Sequence, residues 1–388
     1  MSINFMNSKE RIQATLAHRI PDRIPFDLGG SPMSGIHIAA YEKLIKYLGF
    51  DDLEPEVYDH IQQLALPHEQ VLIRLKVDIR TIRSSSPDSF KLDIQNIGDY
   101  TEYTDEWGVR WRKPIVGGLY YDMVFHPLEY VQNLSEIKDY SWINPEDESR
   151  YSGLAEIAAN YANNGFGVMH WSIGSGVSET HAWLRGYEKY YTDFYLNPDI
   201  AESIMSKVVD IKIAYWENAL SRSGKHIDVV VEADDLAGQN GPLISLKTYR
   251  QFIEPQHTRL FSAIKKTAPH VKIFFHSCGA VHDFIGDFIE SGIDILNPVQ
   301  KSATGMDLHQ LKQEFGKDVV FWGGGVDTQR VFDGDDIEAV RADVRQNIKN
   351  LKSGGGFVFT PVHNTQANVP PQNYMAMWET LQEEGQYQ

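Results

Sequence analysis

The fold of this chain is decided by the stretch Val271-Lys272-Ile273-Phe274-Phe275-His276-Ser277-Cys278-Gly279. Its first five residues form a mostly apolar run that predicts a buried β-strand, and a His-x-Cys pair follows. Because side chains alternate along a strand with a period of two, His276 and Cys278 can point the same way. An imidazole beside a thiolate suits Zn²⁺, while a buried thiol next to a hydrogen-bonded histidine is the structural alternative.

Short apolar runs of this kind recur along the chain, and amphipathic stretches with a helical period separate most of them. We predict eight strands, at Ile24–Leu28, Val77–Ile82, Phe166–Trp171, Ile227–Ala233, Val271–Phe275, Ile293–Asn297, Val319–Trp322 and Gly356–Thr360. Such alternation predicts an α/β fold, a single (β/α)₈ TIM barrel, and we expect one domain over residues 1–388. Ahead of it, Asn7 and Glu10 predict a capping box at the start of a first helix.

One segment interrupts the alternation of strands and helices. Aromatic and β-branched residues dominate Tyr100–Arg112, and Ile115–Phe125 carries a Gly117-Gly118 turn. Neither stretch has a helical period, so both are typical of extended hairpins. We therefore expect a β-rich insertion at about 100–126, after the second strand and over one mouth of the barrel.

Composition excludes several classes of function. The formal net charge of −17 argues against nucleic-acid binding, which needs a basic surface. No apolar stretch approaches the roughly 18 residues of a membrane span, and the first ten residues lack the pattern of a signal peptide. A single cysteine in 388 residues excludes an intrachain disulfide framework, so we expect a cytoplasmic protein.

Polar residues follow nearly every predicted strand, where α/β barrels place their chemistry. Candidates for proton transfer are Asp234, Asp235 and His170. Candidates for substrate binding are Asp27, Gln239, Asn240, Asn297, Gln300 and Asn364. Asp234 and Asp235 are equally suited to capping a helix N-terminus, so both interpretations stay open.

An ordered set of motifs resembles the uroporphyrinogen decarboxylase superfamily, in its branch of corrinoid-dependent methyltransferases. The motifs are Lys9-Glu10-Arg11, Pro21-Asp22-Arg23-Ile24-Pro25, His276-Ser277-Cys278-Gly279, Gly292-Ile293-Asp294, Gly323-Gly324-Gly325 and Pro370-Pro371-Gln372-Asn373. The resemblance runs from about Lys9 to Trp378 and implies a (β/α)₈ barrel. It also suggests a monomer or weak dimer.

The resemblance implies zinc held by a His-x-Cys pair and a later cysteine near the last strand. His276 and Cys278 match the first two positions, but the chain has no second cysteine. His363 stands in the equivalent stretch and is our candidate third ligand, with Glu232 and Gln300 as alternatives. One coordination position would then stay open for a substrate.

The function that the resemblance implies is zinc-dependent transfer of a methyl group between a corrinoid and a small molecule. The chain lacks the Asp-x-His-x-x-Gly signature of a corrinoid-binding module. We therefore expect methylcobalamin or cobalamin to be carried by a separate corrinoid protein. The small molecule would be the methyl donor or acceptor, and neither a membrane nor a nucleic acid is expected as a partner.

Two other functions remain open. One is a metal-independent decarboxylase or lyase that acts on a small carboxylate, with Asp27 and His363 as acid and base; the other is a non-catalytic, ligand-binding barrel. Uroporphyrinogen itself is disfavoured as a substrate. The resembling decarboxylases grip its carboxylates with an arginine-rich segment after the first strand, whereas residues 27–35 here contain no arginine.

Overall fold

The centre of the molecule is a sheet of seven parallel strands, seen in a computed structural model that describes residues 5–387. In chain order these strands are β1 (Ile79–Ile82), β2 (Gly167–Trp171), β3 (Val229–Ala233), β4 (Lys272–His276), β5 (Ile295–Asn297), β6 (Val320–Trp322) and β7 (Phe357–Val358). They are hydrogen-bonded to one another in the same order. The predicted α/β class is confirmed, and this sheet is consistent with a fold of the TIM-barrel type.

Residues 25–27 link the two edges of this sheet. The Asp27 N–H donates to the Phe359 carbonyl at 3.0 Å, just beyond β7. On the other side, the Asp78 N–H donates to the Phe26 carbonyl at 2.9 Å, just ahead of β1. The predicted strand Ile24–Leu28 is therefore reduced to an isolated bridge at Phe26, since Pro25 has no N–H group to extend a ladder.

Helices surround the sheet. The α-helices are Ser8–Leu16, Ile38–Tyr47, Glu69–Arg74, Leu134–Asp139, Leu154–Asn163, Val177–Arg185, Tyr187–Leu196, Pro198–Ser223, Leu246–Thr248, Glu254–Thr267, Ile285–Ser291, Leu308–Phe315, Ile337–Leu351 and Pro371–Glu384. Short 3₁₀ turns lie at Pro32–Ser34, Glu148–Tyr151, Gly224–His226 and His282–Phe284, and a π-helical turn at Tyr249–Ile253. The predicted capping box is confirmed, because Asn7 and Glu10 each accept the other's backbone N–H at 2.9 Å. Among the described helices, none combines the length and apolar character needed to cross a membrane.

A second, antiparallel sheet lies between β1 and β2 in the chain. Its four strands are Gln95–Ile97, Tyr100–Thr104, Arg110–Pro114 and Asp122–Phe125. Trp107 and Trp111 pack in its core together with Ile204 and Val208 of the long helix Pro198–Ser223. Two short antiparallel pairs, Val57–Asp59 with Leu64–Ala65 and Ala237–Gly238 with Gly241–Pro242, complete the strands.

The two faces of the parallel sheet bury different side chains. The inner face contributes one apolar cluster, which includes Ile79, Met169, Val229, Val231, Phe274, Ile295, Val320, Trp322 and Val358. The side chains between them pack against the helices, as Val168, Val230, Ile273, Phe275 and Leu296 do. This alternation decides which residues at the strand ends reach the mouth of the barrel and which are turned toward the helices.

Candidate metal centre

The His-x-Cys pair lies at the end of β4, on the inner face of the sheet. His276 follows Phe274 on that face, and the Cys278 Sγ lies 3.2 Å from the His276 Nε2. His276 is buried, whereas Cys278 is partly accessible. The two donor atoms are therefore already adjacent.

His363 joins this pair from the segment that follows β7. One donor atom from each of His276, Cys278 and His363 can be chosen so that all lie within 4.8 Å of one another. The two imidazole rings meet edge to face, with centroids 5.4 Å apart. A cluster of two imidazoles and one thiol is a donor set that zinc prefers.

Asn297, at the end of β5, orients the ring of His276. Its side-chain N–H donates to the Trp322 carbonyl at 2.6 Å, which turns its oxygen toward His276. The His276 Nδ1 lies 2.5 Å from that oxygen and must carry the proton, so the lone pair of Nε2 faces Cys278. This arrangement is the usual way in which a second residue prepares a histidine for a metal.

Hydrogen bonds also fix the loop after Cys278. Asp235 accepts the Cys278 N–H at 2.8 Å, and the Gln300 oxygen accepts the Gly279 N–H at 2.8 Å. Gln300 in turn donates to the Gln239 oxygen at 2.8 Å. Gly279 has a φ of +87°, and a Cβ there would collide with the Ala237 carbonyl, so only glycine fits.

The electrostatics of the three residues favour uncharged forms. Burial lowers the pKa of His276, and burial together with the adjacent His276 lowers the pKa of His363 to about 4. Burial, and then the Asp235 carboxylate, raise the pKa of the Cys278 thiol well above its usual range. Two neutral imidazoles can bind a metal directly, and a divalent cation would supply the positive charge that a thiolate needs here.

A cavity of about 530 Å³ opens above this cluster. His276, His363 and Asp235 lie in its wall, together with the indoles of Trp107 and Trp171. The other lining residues are Pro32, Met33, Asp59, Ile61, Gln62, Ser84, Ser85, Ser86, Phe90, Leu92, Asp105, Glu106, Arg150, Ser172, Ile173, Gly174, Ser175, Glu179, Trp183 and Ala233. The antiparallel sheet and its flanks thus supply part of the wall, through Phe90, Leu92 and residues 105–107.

Three carboxylates in this wall have displaced pKa values, and one of them is Asp59, whose pKa is raised by burial. Burial and the negative charge of Asp235 raise the pKa of Glu179 to about 8. Burial raises the pKa of Asp105 to about 6, although the indole N–H of Trp111 donates to its carboxylate at 2.8 Å. Glu179 therefore carries a proton at neutral pH, which suits it to donate a hydrogen bond or a proton to a ligand.

Of the three residues predicted for proton transfer, the structure brings only Asp235 to the cavity. His170 lies between Met169 and Trp171, so it faces the helices, with its Nε2 3.1 Å from the Tyr215 hydroxyl. Burial lowers the pKa of His170 to about 3, and it is neutral at physiological pH. His170 itself does not line the cavity and lies behind Ser84, whose Oγ is 3.5 Å from the His170 Nε2.

Asp234 takes the structural role that was its alternative interpretation. Its carboxylate accepts the N–H groups of Val177, Ser178 and Glu179 at 2.7 to 3.1 Å, at the start of helix Val177–Arg185. The His257 Nε2 lies 2.6 Å from the same carboxylate. Asp234 is fully buried and does not line the cavity, so it serves to hold the helix in place.

The residues predicted to bind substrate are mostly engaged elsewhere. Asp27 is fully buried, and its oxygens accept the Gly30 N–H and the Trp322 indole N–H, each at 2.9 Å. Burial raises the pKa of Asp27 to about 6. Asn240 is exposed at another surface pocket, and Asn364 donates to the Gln62 oxygen at 2.6 Å. The cavity wall does not include the last three candidates, Asn297, Gln239 and Gln300. Through hydrogen bonds they instead support the candidate metal ligands His276 and Cys278.

Glu232, an alternative third ligand, points away from the cluster. It faces the helices, as its position between the inner-facing Val231 and Ala233 requires, and pairs with Lys212 at 2.9 Å. Gln300 is committed to the backbone of Gly279. Among the three candidates for the third ligand, His363 alone converges with His276 and Cys278.

Sequence reasoning missed several residues of the cavity wall. Trp171 and Ala233 follow from the alternation of β2 and β3, because both continue the inner face. Glu179, Trp183 and the run Ser84–Ser86 lie beyond strand ends, where no periodicity indicates a direction. Only the folded path of those segments brings them to the cavity.

Fold and site together define an α/β protein of the TIM-barrel type that carries a His-Cys-His cluster at its strand ends. The sequence matches the family model "Uroporphyrinogen decarboxylase (URO-D)" over residues 172–384, which is more than half of the chain. The chain therefore belongs to the uroporphyrinogen decarboxylase family. The resemblance to this superfamily seen in the sequence motifs is confirmed.

The chain is also similar to two individual proteins. A uroporphyrinogen decarboxylase from Saccharopolyspora erythraea is 25% identical over 195 residues, a match that covers 48% of this chain and 50% of that protein. The match thus spans half the length of that relative. A solved methyltransferase from Methanosarcina mazei is 15% identical, with a TM-score of 0.62 over 97% of this chain and 99% of the other. At this identity the likeness is one of fold.

Proposed function

We propose that this chain is a methyltransferase that transfers a methyl group between a small molecule and a corrinoid on a separate protein, and that it depends on zinc. The observation that carries the proposal is the convergence of donor atoms from His276, Cys278 and His363 within 4.8 Å, beside a cavity. A fold shared with a methyltransferase, and membership of this family, support it.

The donor set fits the metal. The cluster consists of two neutral imidazoles and a thiol. The Asn297 oxygen fixes the proton of His276 on Nδ1, the nitrogen that faces away from the cluster. When bound, zinc would lower the pKa of a substrate thiol or polarise an ether oxygen or amine nitrogen. With three protein ligands, a four-coordinate zinc ion would keep its fourth coordination position free for that thiol, oxygen or nitrogen.

The residues of the chain itself bind and orient the small molecule. Trp107, Trp171 and Trp183 present aromatic surface to the cavity and limit the access of water. Glu179 holds a proton in the same wall, and Asp235 lies 3.6 Å from the His276 Nε2. These two carboxyl groups are our candidates for moving the proton that methyl transfer to a thiol releases.

The metal-independent lyase finds less support in the geometry. It needs Asp27 and His363 to act on one substrate, but Asp27 is fully buried and does not line the cavity. His363 does line it. Asp27 and His363 therefore do not meet as an acid–base pair at this site, whereas His276, Cys278 and His363 converge as donors that a metal could bind.

The proposal is tested by metal analysis of the purified full-length chain and two variants. We expect about one zinc ion per wild-type chain, and strong loss of zinc in Cys278→Ser and His363→Ala. His282→Ala is the matched control, since His282 contacts Glu314 and Asp283 away from the cavity. Methyl transfer from free methylcobalamin to a panel of thiols, followed by the cobalamin absorption spectrum, should fall in the same two variants. Full turnover by the metal-free protein would contradict the proposal.

A further inference from the structure

Carboxyl groups outnumber cationic groups in the wall of the cavity. Within residues 5–387, Arg150 is the one lysine or arginine of the wall, whereas five acidic residues line it: Asp59, Asp105, Glu106, Glu179 and Asp235. Glu106 is paired with Arg150, and the charge of Arg83 acts on Asp59. The other three acidic residues form no ion pair with a lysine or arginine of the described chain, so their side of the cavity is negatively charged.

Two of these three carboxyl groups lie close to the indole of Trp183. Glu179 and Trp183 are one turn apart in helix Val177–Arg185, on the side of the helix that faces the cavity. The Trp183 ring meets the Trp111 ring edge to face, with centroids 5.0 Å apart. The Trp111 indole N–H donates to the Asp105 carboxylate at 2.8 Å. Trp183 therefore connects the helix of Glu179 with the turn that carries Asp105.

A second indole, that of Trp107, reaches the same part of the wall. A Cβ on Gly174 would lie 2.8 Å from the Trp107 Nε1, so the indole packs directly against the backbone of Gly174. The next residue, Ser175, forms a hydrogen bond with Glu179 through its hydroxyl. The loop before helix Val177–Arg185 thus brings Trp107 and Glu179 together, and both line the cavity.

The faces of aromatic rings attract cations, most strongly where water is excluded, and a neighbouring carboxylate strengthens that attraction. We propose that the part of the cavity formed by Trp107, Trp183 and Glu179 binds an ammonium group of the small-molecule substrate. Asp105 adds negative charge beside it. Taken with the proposed function, on which this clause rests, the methyl donor or acceptor is a small ammonium compound.

The charge of the wall favours a cation over an anion. The raised pKa values of Glu179, about 8, and Asp105, about 6, show that negative charge is unfavourable here without a cation beside it. An ammonium group would stabilise the charged forms of both, whereas an anion would be repelled. A zinc ion held by the Cys278 thiolate would offset one negative charge and leave the others.

The test compares choline with 3,3-dimethyl-1-butanol, its uncharged isostere, as ligands of the metal-free, full-length chain. Calorimetric titrations are run at about pH 9, above the pKa of about 8 of Glu179, so that this carboxyl group is charged. We expect choline to bind about 10-fold or more tightly than the alcohol, since desolvated contacts between a cation and aromatic rings contribute that much.

Glu179→Gln keeps the shape of the side chain and removes its charge, so it should lose most of the preference for choline. Glu136→Gln is the matched control, because Glu136 lies in helix Leu134–Asp139 and does not line the cavity. The ratio of the two affinities is the readout, since a structural defect would weaken both probes alike.

Trp183→Leu is the second variant, in case Glu179→Gln folds poorly. It removes an aromatic face and leaves the carboxyl groups in place, so choline should raise its melting temperature less than that of the wild type. Trp142→Leu is its control, since Trp142 lines a separate groove, and it should keep the wild-type shift. Equal affinity of the wild type for the two probes, or a choline preference that survives unchanged in both Glu179→Gln and Trp183→Leu, would overturn the inference.

This experiment fails independently of the proposed function. It uses neither zinc nor a corrinoid, so a choline preference would establish the ammonium site even if methyl transfer were absent. Conversely, zinc binding and methyl transfer without a choline preference would leave the proposed function standing and remove the ammonium site.

Discussion

Two polar clusters lie back to back at the carboxyl-terminal edge of the parallel sheet, one on each of its faces. On the outer face, Lys212 donates to Glu232, to the Ser172 hydroxyl and to the Ser175 carbonyl at 2.7 to 2.9 Å. Glu232 also accepts the Trp216 indole N–H at 2.6 Å. Every charged atom of this outer cluster has a partner.

The inner cluster, formed by His276, Cys278 and His363, is built in the opposite way. Its donor atoms face one another at the edge of a cavity, and their firm hydrogen bonds come from residues behind them, such as Asn297. A fully satisfied polar network stabilises one conformation, whereas converging donors without acceptors prepare a site for a ligand. The outer cluster therefore stabilises the fold, whereas the inner cluster is arranged to bind a ligand.

The largest effect should come from breaking the outer cluster. Lys212→Met leaves Glu232 buried and without its cation, and losing one partner of a buried pair costs about 3–5 kcal/mol. Urea denaturation followed by circular dichroism measures the change in the free energy of unfolding. The double variant Lys212→Met/Glu232→Gln removes both charges and should recover much of the loss. A change below about 1 kcal/mol in the single variant would show that the outer cluster does not hold the fold.

An intermediate effect should come from the residue that connects the inner cluster to the sheet. Asn297→Leu removes the acceptor of the His276 ring, and losing such a support typically weakens metal binding by about 10- to 100-fold. Asn297→Asp keeps an acceptor at that position and should retain most of the affinity. Competition with a zinc chelator gives both values. Equal weakening in the two variants would assign Asn297 a purely structural role.

The smallest effect should come from a substitution of His170. This residue precedes Trp171 in β2 and lies on the outer face of the sheet. His170→Gln preserves a polar side chain beside the Tyr215 hydroxyl, and in the cavity wall it approaches Ser84, whose Oγ lies 3.5 Å from the His170 Nε2. Zinc affinity and the rate of methyl transfer should stay within about twofold of the wild type, since distant sites act independently. A large fall in rate with unchanged stability would return His170 to the catalytic candidates.

Much of the scaffold could be predicted from the sequence, because apolar runs and the period of two are local properties. Seven predicted strands reappear as β1–β7, and the His276–Cys278 pair lies at the end of its strand as expected. The same period, applied one step further, would have turned His170 and Glu232 toward the helices.

The rest of the site depends on the paths of loops, which no periodicity encodes. Gln239 and Gln300 attach the loop after Cys278 to its neighbours, a role that their sequence positions do not reveal.

The single cysteine also determines how this centre responds to oxidants. A centre with two thiolates can close on itself as a disulfide, which thioredoxin-type reductants reopen. Cys278 has no second thiol among the 388 residues, so within the chain its oxidation leads to a sulfenic acid and onward to irreversible acids. A ligand that caps the sulfur would shield it from peroxide. Because burial and Asp235 raise the pKa of the Cys278 thiol, the neutral thiol should react slowly with peroxide, and reversal of a sulfenic acid would need an external thiol.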